Sequence, residues 1–213
     1  MTSQLSPLQN AILHAFFRRE SRFFLTGGAA LVGYYLGHRT TEDLDLFTTA
    51  PVLDEGEAAL RDAAVELKAE VEAIQTSPTF RRRLLRRADE AVIVDLVHDS
   101  TPQGKPKTRH GVILVDPPEE ILANKLCALL SRAEIRDLVD TYHLEKAGTP
   151  LESAMQLAGR KDGSMSPAQL AWILSQIRIG ADARIPGGLN AADLADYVHD
   201  LERRLTRLSW PGG

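Results

Sequence analysis

The stretch from Phe23 to Phe47, FFLTGGAALVGYYLGHRTTEDLDLF, constrains the fold more than any other part of the chain. A short apolar run, Phe23 to Thr26, has the length and composition of a buried strand. Gly27 and Gly28 follow at once, then an apolar run of helical length, Ala29 to Leu36, closed by Gly37. After a polar turn the chain continues as Asp43-Leu44-Asp45-Leu46-Phe47. Side chains alternate faces along an extended strand, so Asp43 and Asp45 point one way while Leu44 and Leu46 point into a core. Neighbouring carboxylates repel unless a cation lies between them. An all-oxygen pair on one strand suits Mg²⁺, with Mn²⁺ as the alternative, its shell completed by substrate phosphates. Gly27 and Gly28 let backbone N–H groups approach a phosphate closely, at the positive end of the helix that follows. A phosphate cradle followed by a metal clamp points to nucleotide chemistry.

A chain of 213 residues makes one large domain or two small ones and can bury a full core. The first 20 residues lack the basic start and continuous apolar region of a signal peptide, and no segment reaches the length of a membrane span. Together with a single cysteine, Cys127, this leads us to expect a cytoplasmic protein without a membrane partner. The net charge of −4 confines any nucleic-acid contact to a local patch.

Along the chain, Pro7 to Arg19 has helical spacing, with Ser6 as cap and Pro7 at the first helical position. Asp54 to Ile74 reads as one long helix with Leu60, Ala64, Leu67, Val71 and Ile74 on its apolar stripe. Phe80 to Val97 reads as a hairpin turning at Ala88-Asp89-Glu90. Residues 99–110 read as a polar loop and Val112 to Val115 as a short strand. From Asp116 the pattern is helical, with segments from Pro118 to Ser131, Glu134 to Lys146, Leu151 to Arg160, Ser166 to Ile177 and Ala191 to Leu208. The expected architecture is α/β (α+β): a catalytic domain with a small mixed sheet over residues 1–115, then an all-helical domain over 116–213.

Asp95 sits in Val92-Ile93-Val94-Asp95-Leu96-Val97, a strand pattern buried on both faces, where an unpaired charge is costly. It is either one half of a structural ion pair with a nearby arginine or the third carboxylate of a metal site with Asp43 and Asp45. In the second case it can also take the proton of an attacking hydroxyl. The hairpin carries Arg81, Arg82, Arg83, Arg86 and Arg87, five arginines within seven positions. They serve either to protect a sheet edge from aggregation or to guide an RNA backbone past the carboxylates. Alternation places Arg81 and Arg83 on one face, Arg82 and Arg86 on the other. Arg39, just before the Asp-x-Asp strand, either touches phosphate or caps the preceding helix. The six histidines show no ligand spacing, so no zinc site is expected.

Gly-Gly, an intervening helix and Asp-x-Asp together resemble the active-site signature of the polymerase-β-like nucleotidyltransferases. The wording GGAALVGYYLGHRTTEDLDLF is similar, more narrowly, to the AbiEii/AbiGii toxin family of that superfamily, with Gly-Gly here where the family has Gly-Ser. A second stretch, KLCALLSRAEIRDLVDTYHL, resembles the family's other signature, a lysine followed by Arg/Lys-Asp-x-x-Asp. The resemblance implies that Lys125 holds the NTP triphosphate, that Asp137 is a catalytic or nucleotide-orienting acid, and that Asp140 assists it. Read without the family, Asp137 and Asp140 share a helix face opposite the apolar stripe, as a salt-bridged surface with Arg136 paired to Asp140. What the resemblance further implies is a metal-dependent toxin of a type IV toxin–antitoxin or phage-defence pair. Such a toxin adds an NMP to the 3′ end of tRNA and has a cognate antitoxin as partner. A small-molecule acceptor of the antibiotic type, a protein acceptor and a non-catalytic nucleotide-binding regulator are the competing readings.

Overall fold

The computed structural model of the chain describes residues 4–210. The chain divides into two compact units. One runs to Thr101 and resumes at Pro106–Pro117; the other takes Pro102–Lys105 and everything from Pro118 on.

The first unit opens with α1 (Pro7–Phe17), where Ser6 accepts from the Gln9 amide and the Gln9 side chain returns the bond to the Ser6 N–H, a reciprocal cap. Then come β1 (Phe24–Thr26), α2 (Gly27–Ala30), β2 (Asp43–Thr48), α3 (Leu53–Leu67), β3 (Glu70–Ser77), β4 (Phe80–Arg87), β5 (Glu90–His98), β6 (Thr108–His110) and β7 (Ile113–Val115). The helix expected after the glycines is α-helical for only one turn and continues as a π-helical segment over Leu31–Tyr35. The strands form a single mixed sheet in the order β3-β4-β5-β2-β1-β7-β6. β2 pairs in parallel with β5 and antiparallel with β1, so the Asp-x-Asp strand is central. One face of the sheet presents Leu44, Leu46, Leu85, Val94 and Leu96, all fully buried, and α1 and α3 pack on it. Phe16 of α1 meets Phe23 edge to face, with centroids 5.4 Å apart.

Two expectations for this unit fail locally. The helix read through to Ile74 stops at Leu67, because Lys68 takes a left-handed conformation (φ 54°) that turns the chain back. Glu70–Ser77 then runs as β3, and Val71 and Ile74, expected on a helical stripe, are exposed strand residues. The supposed loop over 99–110 ends in β6, which pairs with β7.

The second unit is helical: α4 (Pro118–Ser131), α5 (Ile135–Lys146), α6 (Leu151–Lys161), α7 (Pro167–Gln176) and α8 (Ala191–Ser209). The fully buried Glu120 accepts from the backbone N–H groups of Gly104 and Lys105, and its other oxygen faces the Lys161 ammonium at 2.8 Å. This knot holds residues 102–105 against α4 and α6, within the helical unit. Apolar Leu194, Val198, Leu201 and Leu205 recur at helical spacing on α8, and all four are buried.

Candidate active site

Strand register brings the carboxylates together on the sheet face opposite the core. Asp45 is the direct partner of Asp95 across β2 and β5, and Asp43, two residues back, shares their side. Thr26 of β1 sits across Asp45 from the other direction. Thr41, just before β2, donates through its hydroxyl to Asp43 Oδ1 at 2.5 Å and fixes that carboxylate.

The glycine pair closes on this row. Gly27 has φ +63°, and a Cβ there would lie 2.1 Å from Asp45 Oδ2. A Cβ on Gly28 would stand 2.7 Å from a guanidinium nitrogen of Arg39, which places Arg39 beside the cradle. The two positions therefore differ in tolerance. Gly27→Ala meets a left-handed penalty of about 1–2 kcal/mol and a clash with the short Asp45 side chain. Gly28→Ala displaces the tip of the long Arg39 side chain and comes within 3.3 Å of the Thr41 hydroxyl, a milder demand. Thermal melts of the two variants should show a clear loss for the first and little change for the second.

Asp95 is 5% exposed, yet both of its oxygens are taken. Arg82 of β4, its direct cross-strand partner, donates from Nε to Oδ1 at 2.8 Å and from Nη2 to Oδ2 at 2.7 Å. The hydrogen bond to Asp95 holds the Arg82 proton more tightly than usual against the opposing effect of burial, and the charges of Asp95, Asp43 and Asp45 add to it. One guanidinium thus stands among three carboxylates. Among the described residues no three carboxylate, imidazole or thiolate side chains are gathered as a ready metal cage. The ion pair and the shared face, weighed as alternatives for Asp95, are both present.

The arginines divide by strand alternation. Arg82 and the exposed Arg86 share the carboxylate face. Arg81 and Arg83 lie on the other face, under α3. Arg83, only 4% exposed, binds Glu57 at 2.8 Å, the Gln75 and Arg82 carbonyls and the Thr76 hydroxyl. Arg81 reaches Asp54 at 3.1 Å and Glu57 at 3.3 Å. These two are not part of an acceptor path beside Asp43 and Asp45, because α3 supplies acids that consume them. Arg87 pairs with Glu90 across the turn at 3.3 Å. Nor is β4 a sheet edge, since β3 covers it.

In the helical unit, Lys125 is 8% exposed and its ammonium lies 2.9 Å from Asp137 and 2.7 Å from Asp140. Arg132 donates to Asp137 as well, at 2.9 Å. Burial alone would push the Lys125 proton off, but the charges of Asp140 and Asp137 outweigh it and raise its pKa. Burial works against the Asp137 carboxylate too, yet Lys125 and Arg132 lower its pKa on balance. The two aspartates are therefore not a solvated surface, and Arg136 pairs with Glu134 at 3.1 Å.

The family model described as "Nucleotidyl transferase AbiEii toxin, Type IV TA system" matches residues 12–205. The chain belongs to this family. Two solved structures are similar to the AbiEii chain over nearly its whole length. A Helicobacter pylori protein assigned as a nucleotidyltransferase is 21% identical, with a TM-score of 0.56 and 94% of each chain covered. JHP933 from Helicobacter pylori is 22% identical, with a TM-score of 0.56, 95% of this chain and 92% of that one covered. At these identities the two structures bear on the fold. The comparison with curated proteins found no match. The AbiEii chain is a nucleotidyltransferase, and no described helix is long and apolar enough to cross a membrane.

Sequence reasoning missed one contact and left the partner in another open. Thr41 carried no signal, being one hydroxyl in a polar turn. The pairing of Arg82 with Asp95 did carry one: counting back from Arg87 opposite Glu90 at the hairpin turn places Arg82 opposite Asp95.

Proposed function

We propose that this AbiEii chain transfers an NMP from an NTP to an acceptor hydroxyl in a divalent-metal-dependent reaction, the hydroxyl oxygen bonding the α-phosphorus as pyrophosphate leaves, the acceptor being the 3′ end of tRNA. It would act as the toxin of a type IV pair, held in check by an antitoxin. The observation that carries the reading is the row Asp43, Asp45, Asp95 on one sheet face, closed by Gly27. The donor set is all oxygen, and a cation, the Arg82 guanidinium, already stands among the three carboxylates, so the residues fit Mg²⁺ or Mn²⁺. Asp43 and Asp45 would hold the metal, joined by Asp95 on release from Arg82. Bound there, a divalent ion neutralises the triphosphate and acidifies the attacking hydroxyl.

The rest falls to the protein's own groups. Thr41 orients Asp43, and the absence of a side chain at Gly27 leaves Asp45 its place. Backbone N–H groups at Gly27 and Gly28 and the guanidinium of Arg39 face the phosphates. Asp95, once free of Arg82, accepts the proton of the acceptor hydroxyl at a carboxylate oxygen. Positioning and charge neutralisation then account for the rate. Lys125 has three N–H donors and directs them toward Asp137 and Asp140, so any phosphate contact uses what those two leave.

A small hydroxylated acceptor is the second reading, favoured by the withdrawal of Arg81 and Arg83 to the α3 face. Incubation with each α-labelled NTP, Mg²⁺ and total RNA, followed by electrophoresis, separates the two. Labelled tRNA whose formation falls steeply with salt supports the first, since phosphate contacts by Arg82 and Arg86 release counterions. No labelled RNA with any NTP, or transfer indifferent to salt, overturns it.

A further inference from the structure

Adjacent arginines on β4 are held in opposite ways. Arg83 is locked: its side chain is 5% exposed and spends its donors on Glu57, two backbone carbonyls and Thr76. Arg82 has a 39% exposed side chain, and its Nε and Nη2 both donate to the buried Asp95. Its guanidinium carbon lies 5.6 Å from the centre of the Phe80 ring, a soft surface along which a planar cation can slide outward. Within this row Arg82 holds two oxygens that the metal reading needs. A guanidinium and a divalent ion compete for them, because the two cations repel at such close range and both draw on the charge of one carboxylate.

We propose that Arg82 is an internal counter-cation that occupies Asp95 in the resting protein and hands it over when a divalent ion binds beside Asp43 and Asp45. This rests on the metal-dependent reading of the site. Arg82 is thus a positioning residue: it keeps Asp95 pointed along the row, at the cost of competing with metal. Arg86, two residues along the same face but exposed, has no such partner among the three acids and is expected to have no such effect.

The test is Mn²⁺ binding to the full chain without nucleotide, read by electron paramagnetic resonance of free Mn²⁺, which needs no turnover. Arg82→Gln should bind Mn²⁺ about tenfold more tightly than the natural chain, the effect of removing one cation from the carboxylates' immediate surroundings. Arg82→Lys keeps the charge but not the two-pronged grip on Asp95, and should fall between. In an Asp95→Asn background the gain should vanish, since the contested ligand is gone. Unchanged or weaker Mn²⁺ binding by Arg82→Gln overturns the handover. So does a gain that persists with Asp95→Asn, which would report general charge instead. If circular dichroism shows Arg82→Gln unfolded, Arg82→Lys decides: tighter than the natural chain supports the handover, equal or weaker overturns it. Absence of Mn²⁺ binding by the natural chain and both variants removes the metal reading itself, and the handover with it.

Discussion

Asp45→Asn should lower NMP transfer by about a thousandfold or more and leave the fold intact. Asparagine keeps the size and one oxygen of the native side chain but removes the charge. A lost metal contact of several kcal/mol in the transition state corresponds to that factor, at about 1.4 kcal/mol per tenfold. No other acid can substitute, for Asp43 and Asp95 already have places of their own in the row. Stability should move the other way. Asp43, Asp45 and Asp95 lie on one sheet face, so removing one negative charge relieves repulsion among them in the folded state. A melting temperature equal to or above that of the natural chain, with transfer gone, is the expected pair of results. Near-natural transfer by Asp45→Asn would remove the carboxylate row from the reaction, whatever the acceptor.

Much of this site is legible in the chain before any coordinates. Alternation along Asp43-Leu44-Asp45-Leu46 is enough to put two acids on one face, because Leu44 and Leu46 must be buried. The β-branched run around Asp95 marks a central strand for the same reason. What alternation does not reveal is which strand lies beside which. The parallel pairing of β2 with β5 depends on the long excursion through α3, β3 and β4, and only that register sets Asp45 against Asp95. The same limit explains the arginines: sequence divides them correctly into two faces, but α3 decides that Arg81 and Arg83 face Asp54 and Glu57. It also explains Asp137 and Asp140. On a single helix they look like a polar stripe, whereas packing of α5 on α4 delivers Lys125 to them and buries all three.

That burial changes what a substitution at Lys125 must show. Lys125→Met removes the ammonium from between two carboxylates that are 1% and 0% exposed. Breaking a buried ion pair by deleting one partner costs about 3–5 kcal/mol. The loss should appear in urea unfolding, ahead of any effect on nucleotide binding. Arg132 still neutralises Asp137, so the larger share of the cost comes from Asp140. Adding Asp140→Asn to Lys125→Met should therefore recover about 1–2 kcal/mol, because a neutral amide is less costly to bury than a carboxylate that has lost its ammonium. The pH dependence follows from the same charges. Lys125 has a raised pKa, so its contribution is complete below the ordinary lysine value and is lost as pH rises through the folded one. Asp137 has a lowered pKa, so its contribution is complete above the ordinary aspartate value and is lost as pH falls through the folded one. The difference in stability between the natural chain and Lys125→Met should accordingly be widest on a plateau between those limits and shrink at both ends. A Lys125→Met chain that is as stable as the natural one at neutral pH, yet binds NTP weakly, would return Lys125 to the role of a phosphate ligand and deny it this one.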